Sequence, residues 1–246
     1  MKCRNMGCIP QPSQPPTDHS NCRCLGPLVL STIHRVRRAD LARAAQYKPA
    51  GLGFRVKSGW AMAVLLAGPS QSPQIVKCGP ILLSDPHVSR SRQPYHAALP
   101  HAIERRDAIT QELVSVVRAA AEKSVRELLE EAAAAGYEVR RAALVVGSLV
   151  DPATLHNDHM KAHGFEGQLF RTVLEDAFRA RGISCATLVE KSAYEEASEA
   201  LRLTPAKAKN SVAKWGEMRE GSWRAEEKLA ALGAWMALAA RGKKSG

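Results

Sequence analysis

The feature that most constrains this chain is a succession of apolar stretches between residues 51 and 242 that alternates between strand-like and helix-like patterns. "GLGFRVKSGWAMAVLLAG" (51–68) and "PQIVKCGPILLSD" (73–85) are rich in residues that strands favour, and each predicts one strand. The intervening "GPSQSP" is typical of a turn, so the two strands are expected to form a hairpin. Residues 86–100 predict a loop with room for a short third strand.

Helices separate the remaining strands. Apolar residues recur three and four positions apart over 101–135, which predicts a long helix that ends near Gly136. The run "AALVV" within 138–148 predicts a buried strand. The same reasoning gives the later elements in chain order: a helix ending at Gly182, a strand over 183–192, and helices over about 193–215 and 223–242. The order β-β-(β)-α-β-α-β-α-α predicts an α/β fold, a mixed sheet with helices on both faces.

Residues 1–50 differ in composition from the rest of the chain. "CIPQPSQPPTDHSN" resembles a linker, so we expect a disordered or linker-like basic tail over 1–50 and a single domain over 51–246. The cysteines of the tail are spaced too irregularly for the C-x2-C pairs of zinc sites: Cys3, Cys8, Cys22 and Cys24. The sequence shows neither a membrane span nor a signal peptide, which predicts a cytoplasmic protein.

Positive charge is concentrated towards the two ends of the chain. The formal net charge of +11 divides into +6 over residues 1–50, +3 over 51–150, −4 over 151–200 and +6 over 201–246. Such an excess is typical of proteins that bind polyanions, so nucleic acid is the expected partner. A solvated basic surface without a partner is the alternative that the charge alone leaves open.

Two stretches resemble bacterial Holliday-junction resolvases, which have a ribonuclease H-like fold. "GLGFRVKSGWAMAVL" resembles the first strand of that family, and "EALRLTPAKAKNSVAKWGE" followed by "WRAEEKLAALGAWMALA" resembles its last third. The order of secondary-structure elements resembles that family over about residues 51–242. The resemblance implies a ribonuclease H-like fold and a protein that processes or binds nucleic acid.

The residues that carry the family's chemistry differ in this chain. The first-strand aspartate of the family falls on Arg55, and the glutamate after its central strand has no acidic counterpart before Asp151. At the final helix Glu226 or Glu227 matches the first acid, while the second falls on Ala230. Phosphoryl transfer by two metal ions needs several carboxylates around cations roughly 4 Å apart. The resemblance therefore implies this fold with an altered active site.

The stretch "HNDHMKAHGFEGQLF" contains three histidines and a glutamate, at His156, His159, His163 and Glu166. On a continuous helix these four side chains share an arc of roughly 80°. The same face of the helix continues with apolar residues: Phe170, Val173, Leu174 and Ala177. We therefore expect His159, His163 and Glu166 to face inward and to bind a divalent metal such as Mg, Mn or Zn. Two alternatives remain open. The cluster could contact phosphate or nucleic acid without a metal, or it could be only the polar end of an ordinary helix.

Further residues are candidates for catalysis or for contact with nucleic acid. The candidate catalytic acids are Asp151, Glu166 and Glu227, of which the first and last would be supplementary ligands or bases. Basic side chains on the first strand, in the "SRSRQPYHA" loop and along "KAKNSVAK" are expected to meet phosphate: Arg55, Lys57, Arg90, Arg92, Lys207 and Lys214.

Three functions remain open at this level. The first is a nucleic-acid-processing protein with an altered active site, which would be a metal-dependent nuclease if it is catalytic. The second is a non-catalytic nucleic-acid-binding or scaffold protein. The third is a metal-dependent hydrolase of a small phosphorylated substrate. The sequence leaves the oligomeric state undetermined.

Overall fold

The computed structural model describes residues 47–217 and 220–240, and most of the expected tail, up to residue 46, lies outside them. Within the described residues there are five strands: β1 (Lys48–Lys57), β2 (Trp60–Ala67), β3 (Gln74–Leu82), β4 (Tyr137–Val146) and β5 (Ser184–Val189). The α-helices of the same residues are α1 (Pro94–Ala98), α2 (Ile103–Ala134), α3 (Asp158–Arg179), α4 (Ala193–Leu201), α5 (Pro205–Glu217) and α6 (Ala225–Ala239).

The strands form one mixed sheet in the order β3-β2-β1-β4-β5. β1 pairs antiparallel with β2 and β2 antiparallel with β3, whereas β4 is parallel to β1 and β5 is parallel to β4. Three consecutive antiparallel strands are thus extended by two parallel strands beside the first, with helices on both faces of the sheet. The predicted α/β fold is therefore confirmed. The carboxyl ends of β1, β4 and β5 lie at the same edge of the sheet, where sites form in folds of this kind.

The structure corrects the prediction of a single strand over 51–68, because β1 and β2 are separate strands. The chain reverses at Ser58 and Gly59, between the paired residues Lys57 and Trp60. Gly59 has a φ of +82°, which glycine adopts without steric cost, and two-residue hairpin loops need such a conformation. The short third strand considered for residues 86–100 is not formed. That segment contains a 3-10 turn and α1 instead.

The beginning of β1 lies three residues before the expected start of the domain. Residues 48–50, assigned to the tail by composition, pair with Tyr137–Val139 of β4. The amide of Lys48 donates to the carbonyl of Gly136 at 2.9 Å, and Ala50 is buried. Residues 48–50 therefore belong to the sheet rather than to the tail.

Two apolar cores cover the two faces of the sheet. On one face Leu52 and Phe54 of β1 pack against α2 and α3. On the other face α6 lies directly on β1, and a Cβ atom at Gly53 would stand 2.0 Å from the carbonyl oxygen of Ala230 and 2.1 Å from the amide nitrogen of Ala234. Glycine is therefore required at this position, because the helix backbone occupies the space of a side chain.

A short turn precedes helix α3. Asp151 caps only a short 3-10 turn over Pro152–Thr154, and α3 starts at Asp158. The side chain of Asn157 caps α3 by accepting a hydrogen bond from the amide of His159 at 2.8 Å. From there α3 continues without a break to Arg179, which keeps the histidine-bearing turns in one helix.

The helix expected over 193–215 is divided into α4 and α5. Arg202 ends α4 in a left-handed conformation with a φ of +56°, and Pro205 begins α5, a position where its missing N–H costs nothing. Among the helices of the described residues, none is both long enough and apolar enough to cross a membrane.

We expect Gly53→Ala to lower the free energy of unfolding by about 1–3 kcal/mol or more, because α6 must move away from β1 to admit the methyl group. The matched control is Gly79→Ala on β3, where a Cβ would meet no atom within 4 Å. Alanine there should leave stability unchanged or raise it by up to about 1 kcal/mol. Urea denaturation of the three proteins measures both effects, and equal shifts for the two variants would contradict the packing described.

Candidate metal centre and nucleic-acid interface

Three imidazoles from two helices meet beside the carboxyl ends of the parallel strands. His159 and His163 lie one turn apart on α3, and His96 comes from α1. We call these residues the histidine cluster. One ring nitrogen of each lies within 4.8 Å of the other two, and the Nε2 atoms of His159 and His163 are 3.2 Å apart. The ring planes cross at 61° to 84°, so the rings point at one another rather than stack.

Glu166 lies behind the cluster and is fully buried. Its Oε1 atom is 2.9 Å from Nδ1 of His96 and also accepts a hydrogen bond from the amide of His96 at 3.2 Å. The sequence analysis proposes Glu166 as a metal ligand and a catalytic acid. The structure brings His96 to the position expected for that third ligand, and Glu166 contacts the far side of the His96 ring.

The histidine cluster contains a buried nitrogen that the protein leaves unsatisfied. Nε2 of His96 is inaccessible to solvent and has no hydrogen-bond partner, and the same is true of Oε2 of Glu166. His159 and His163 are exposed, so the expectation that they face inward is wrong, and of the three predicted ligands only Glu166 is buried. Desolvation lowers the pKa of His163 below its ordinary value, and the charges of His96 and His159 lower it further. A lowered pKa favours the neutral imidazole, which is the form that binds metals.

Packing between α1 and α3 places His96 in the cluster. The rings of Tyr95 and Phe165 stack with their centroids 5.1 Å apart. Pro94 occupies the first turn of α1, where its fixed φ suits a helix start. Arg106 on α2 donates to the carbonyl of Leu99 at 2.8 Å and so anchors the chain that leaves α1. The loop that the sequence predicts here is therefore an ordered support for His96.

A cleft of about 440 Å³ opens at the ends of β1 and β4, beside His163. We call it the strand-end cleft. Its charged lining consists of Arg55, Lys57, Arg171 and Asp151. Asp151 is exposed, and its carboxylate accepts a hydrogen bond from the amide of Ala153 at 3.0 Å. The structure thus brings His163 and Asp151 to one cleft, which neither His159 nor Glu166 lines.

The guanidinium of Arg55 is buried at the floor of this cleft, where the resemblance places an aspartate. It donates to the carbonyls of Val56 at 2.8 Å and Val145 at 3.3 Å, and it forms an ion pair with Glu190, which follows β5. The side chain is only 4% exposed. Arg55 therefore ties β1, β4 and β5 together at their carboxyl ends and is less available to phosphate than the sequence analysis expects.

The acidic residues at the start of α6 are also already engaged. Nζ of Lys57 lies 3.4 Å from Oε1 of Glu226. A hydrogen bond from its own backbone amide lowers the pKa of the Glu226 carboxyl, as does the charge of Lys57. Glu227, the proposed catalytic acid, is buried and accepts from the amide of Arg224 at 2.9 Å, which caps the helix. It lines neither the strand-end cleft nor the cleft described next.

These contacts decide whether the two metal ions of the ribonuclease H-like enzymes fit this chain. Two divalent cations need several free carboxylates that converge on them. Here the floor residue is the cation Arg55, and the carboxylates of Glu190 and Glu226 are each neutralised by a side chain of β1. The residues at the strand ends therefore do not fit a two-metal site.

A second cleft, of about 680 Å³, lies on the other side of the histidine cluster. We call it the arginine cleft. It is lined by the exposed side chains of Arg90 and Arg92, by Gln93 and by His96, and it shares Ser58 with the strand-end cleft. Among the described residues, no carboxylate lines it. Positive charge in this cleft is therefore not compensated locally.

Two residues of the predicted nucleic-acid interface, Lys207 and Lys214, lie outside both clefts. Both side chains are exposed on α5. The functional role proposed for them stays a prediction.

Sequence reasoning overlooked His96 as a ligand, although it placed this residue in a loop suited to phosphate. It also did not predict Glu190, which pairs with Arg55, or Arg171, which lines the strand-end cleft. One signal was present: Glu166 lies in the core-facing stripe of α3, and a buried carboxylate requires a partner. Nothing in the local sequence identifies that partner as His96, because the two residues meet only through tertiary packing.

The structure was compared with solved structures, and several Holliday-junction resolvases are similar to it. The chain resembles the structure of Thermus thermophilus RuvC at 10% sequence identity and a TM-score of 0.44, covering 76% of this chain and 91% of that one. The T. thermophilus RuvC complex with a Holliday junction substrate gives 8% identity, a TM-score of 0.44, and coverage of 77% and 91%.

The yeast mitochondrial Holliday junction resolvase Ydc2 gives 9% identity, a TM-score of 0.39 and coverage of 79% of each chain. No protein-family model and no curated protein matches the sequence. Functional proposals for this protein therefore rest on its own residues.

Proposed function

We propose that this protein binds nucleic acid across the face formed by the strand-end cleft and the arginine cleft. The observation that carries the proposal is the pair of exposed arginines, Arg90 and Arg92, in a cleft without carboxylates. Guanidinium groups hold phosphate through paired hydrogen bonds. Because the clefts share Ser58, a backbone that follows the first can enter the second. The net charge of +11 favours the same partner.

We expect Arg90→Ala combined with Arg92→Ala to weaken binding and to reduce the salt dependence of log K by about two, one for each lost phosphate contact. Fluorescence anisotropy with single-stranded, duplex and four-way-junction DNA over about 50–200 mM salt measures both quantities. Lys123→Ala combined with Arg126→Ala removes the same charge from exposed positions of α2 and is the matched control. Lys207→Ala combined with Lys214→Ala tests the prediction for α5.

Absence of binding at about 50 mM salt would overturn the proposal. An equal loss in the double variant of α2 would show that net charge, rather than the arginine cleft, determines binding.

A second candidate function is metal-dependent hydrolysis of a phosphodiester. The observation that favours it is the position of the histidine cluster between the clefts, since His163 lines one and His96 lines the other. A divalent metal held there would polarise a phosphoryl oxygen and lower the pKa of a water molecule. Hydrolysis would add the oxygen of that water to phosphorus and release the bridging oxygen as an alcohol. Asp151, exposed in the strand-end cleft, is the side chain available to take a proton from water.

For this candidate we expect the purified protein to cleave a labelled oligonucleotide only with an added divalent metal, tested as Zn, Mn and Mg in turn. His163→Ala should abolish cleavage and leave nucleic-acid binding within about twofold. His156→Ala, an exposed histidine outside the cluster, should cleave like the unaltered protein. Binding without cleavage under all three metals would favour the non-catalytic protein. Cleavage of a small phosphate ester alone would favour the hydrolase of a small substrate.

A further inference from the structure

We propose that His96, His159 and His163 form a mononuclear site for a transition metal of the zinc type, with Glu166 as its positioning residue and one coordination position open to the clefts. This inference goes beyond nucleic-acid binding, because the metal site needs no nucleic acid to form. It would supply the metal centre of the second candidate function.

The spacing of the ring nitrogens matches such a site. Zinc binds histidine nitrogen at about 2.0–2.1 Å, so two ligands at a tetrahedral angle lie about 3.3 Å apart. The Nε2 atoms of His159 and His163 are 3.2 Å apart. One ring nitrogen from each of the three residues lies within 4.8 Å of the other two, so the third ring would move closer on binding the metal.

Hydrogen bonds among the three rings do not account for the cluster. A single hydrogen bond between His159 and His163 uses the one close pair of nitrogens. Nε2 of His96 then remains buried without a partner. A buried polar atom without a partner costs about 1–3 kcal/mol. A metal bound by all three rings removes this cost and gives the buried nitrogen a function.

Glu166 fixes the direction in which His96 presents its free nitrogen. The carboxylate accepts a hydrogen bond from Nδ1 of His96 at 2.9 Å, which keeps the proton on Nδ1 and the lone pair on Nε2. Histidine ligands of metals typically donate their second N–H to a carboxylate in this way. Burial of Glu166 strengthens the constraint, since the carboxylate has no water to bind instead.

The donor set decides the class of metal. Three neutral imidazoles suit zinc, copper, nickel or cobalt, whereas magnesium and calcium require oxygen ligands. A structural zinc site has four protein ligands, while a site with three keeps a position for water or substrate. His159 and His163 are exposed, so the remaining position faces solvent and the adjoining clefts.

The test is a titration of the full chain with zinc in competition with a chromophoric chelator, together with the visible absorption of the cobalt(II) form. Cysteines in the N-terminal tail could also bind zinc, so all proteins carry serine in their place: Cys3→Ser, Cys8→Ser, Cys22→Ser and Cys24→Ser. We expect one equivalent of metal per chain. His159→Ala and His163→Ala, at exposed positions, should each weaken binding by more than about 100-fold, beyond what loss of an outer partner costs.

His156→Ala is the matched control, because it removes an exposed histidine from the same stretch outside the cluster. Its affinity should equal that of the unaltered protein. Failure of the cysteine-free chain to bind zinc, unchanged affinity in His159→Ala or His163→Ala, or an equal loss in His156→Ala would each overturn the site.

The role of Glu166 has its own readout. Glu166→Gln keeps the shape of the side chain, and we expect it to bind one metal with affinity reduced about 10–100-fold and with an altered cobalt spectrum. Circular dichroism establishes whether this variant is folded, and the exposed His159 and His163 variants test the site independently. Unchanged affinity and an unchanged spectrum in folded Glu166→Gln would show that Glu166 does not position His96 on the metal.

Discussion

The hydrogen bond between the buried carboxylate of Glu166 and the imidazole of His96 is the interaction on which the architecture of the site depends. A carboxylate without solvent access is costly unless a partner compensates it. Helix α1 supplies that partner through both the ring and the amide of His96. The same contact occupies Nδ1 of His96 and leaves its Nε2 atom without a hydrogen-bond partner, in a ring that lies against His159 and His163. One buried acid on α3 thereby orders a segment distant in sequence and assembles three candidate ligands.

Electrostatics divide the strand-end face into two parts with different roles. In the strand-end cleft, Arg55 is paired with Glu190, which follows β5. Lys57 is paired with Glu226 on α6. These pairs join the carboxyl ends of the parallel strands to one another and to α6. In the arginine cleft no carboxylate of the described residues balances the positive charge. The proposed metal centre adjoins both clefts, since His163 lines the first and His96 lines the second.

Sequence patterns could predict the order of elements and one face of the site. Periodicity gives the helices and the buried strand β4, and the 100° rotation of a helix correctly places His159, His163 and Glu166 on one arc of α3. The hairpin at Gly59 was not predicted, because a two-residue turn hardly interrupts an apolar run. His96 could not be identified as a ligand, since its place depends on the stacking of Tyr95 on Phe165. The pairing of Arg55 with Glu190 is likewise long-range, and only the parallel sheet brings the two residues together.

X-ray absorption at the zinc edge, on the full chain with the four tail cysteines replaced by serine and with one equivalent of zinc, tests the central claim most directly. The account predicts a first shell of four light atoms at about 2.0–2.1 Å, with the outer-shell scattering of three imidazoles and no sulfur. A shell that contains sulfur at about 2.3 Å would mean that cysteines hold the ion. That result, or a shell without imidazole scattering, would contradict a metal centre formed by His96, His159 and His163.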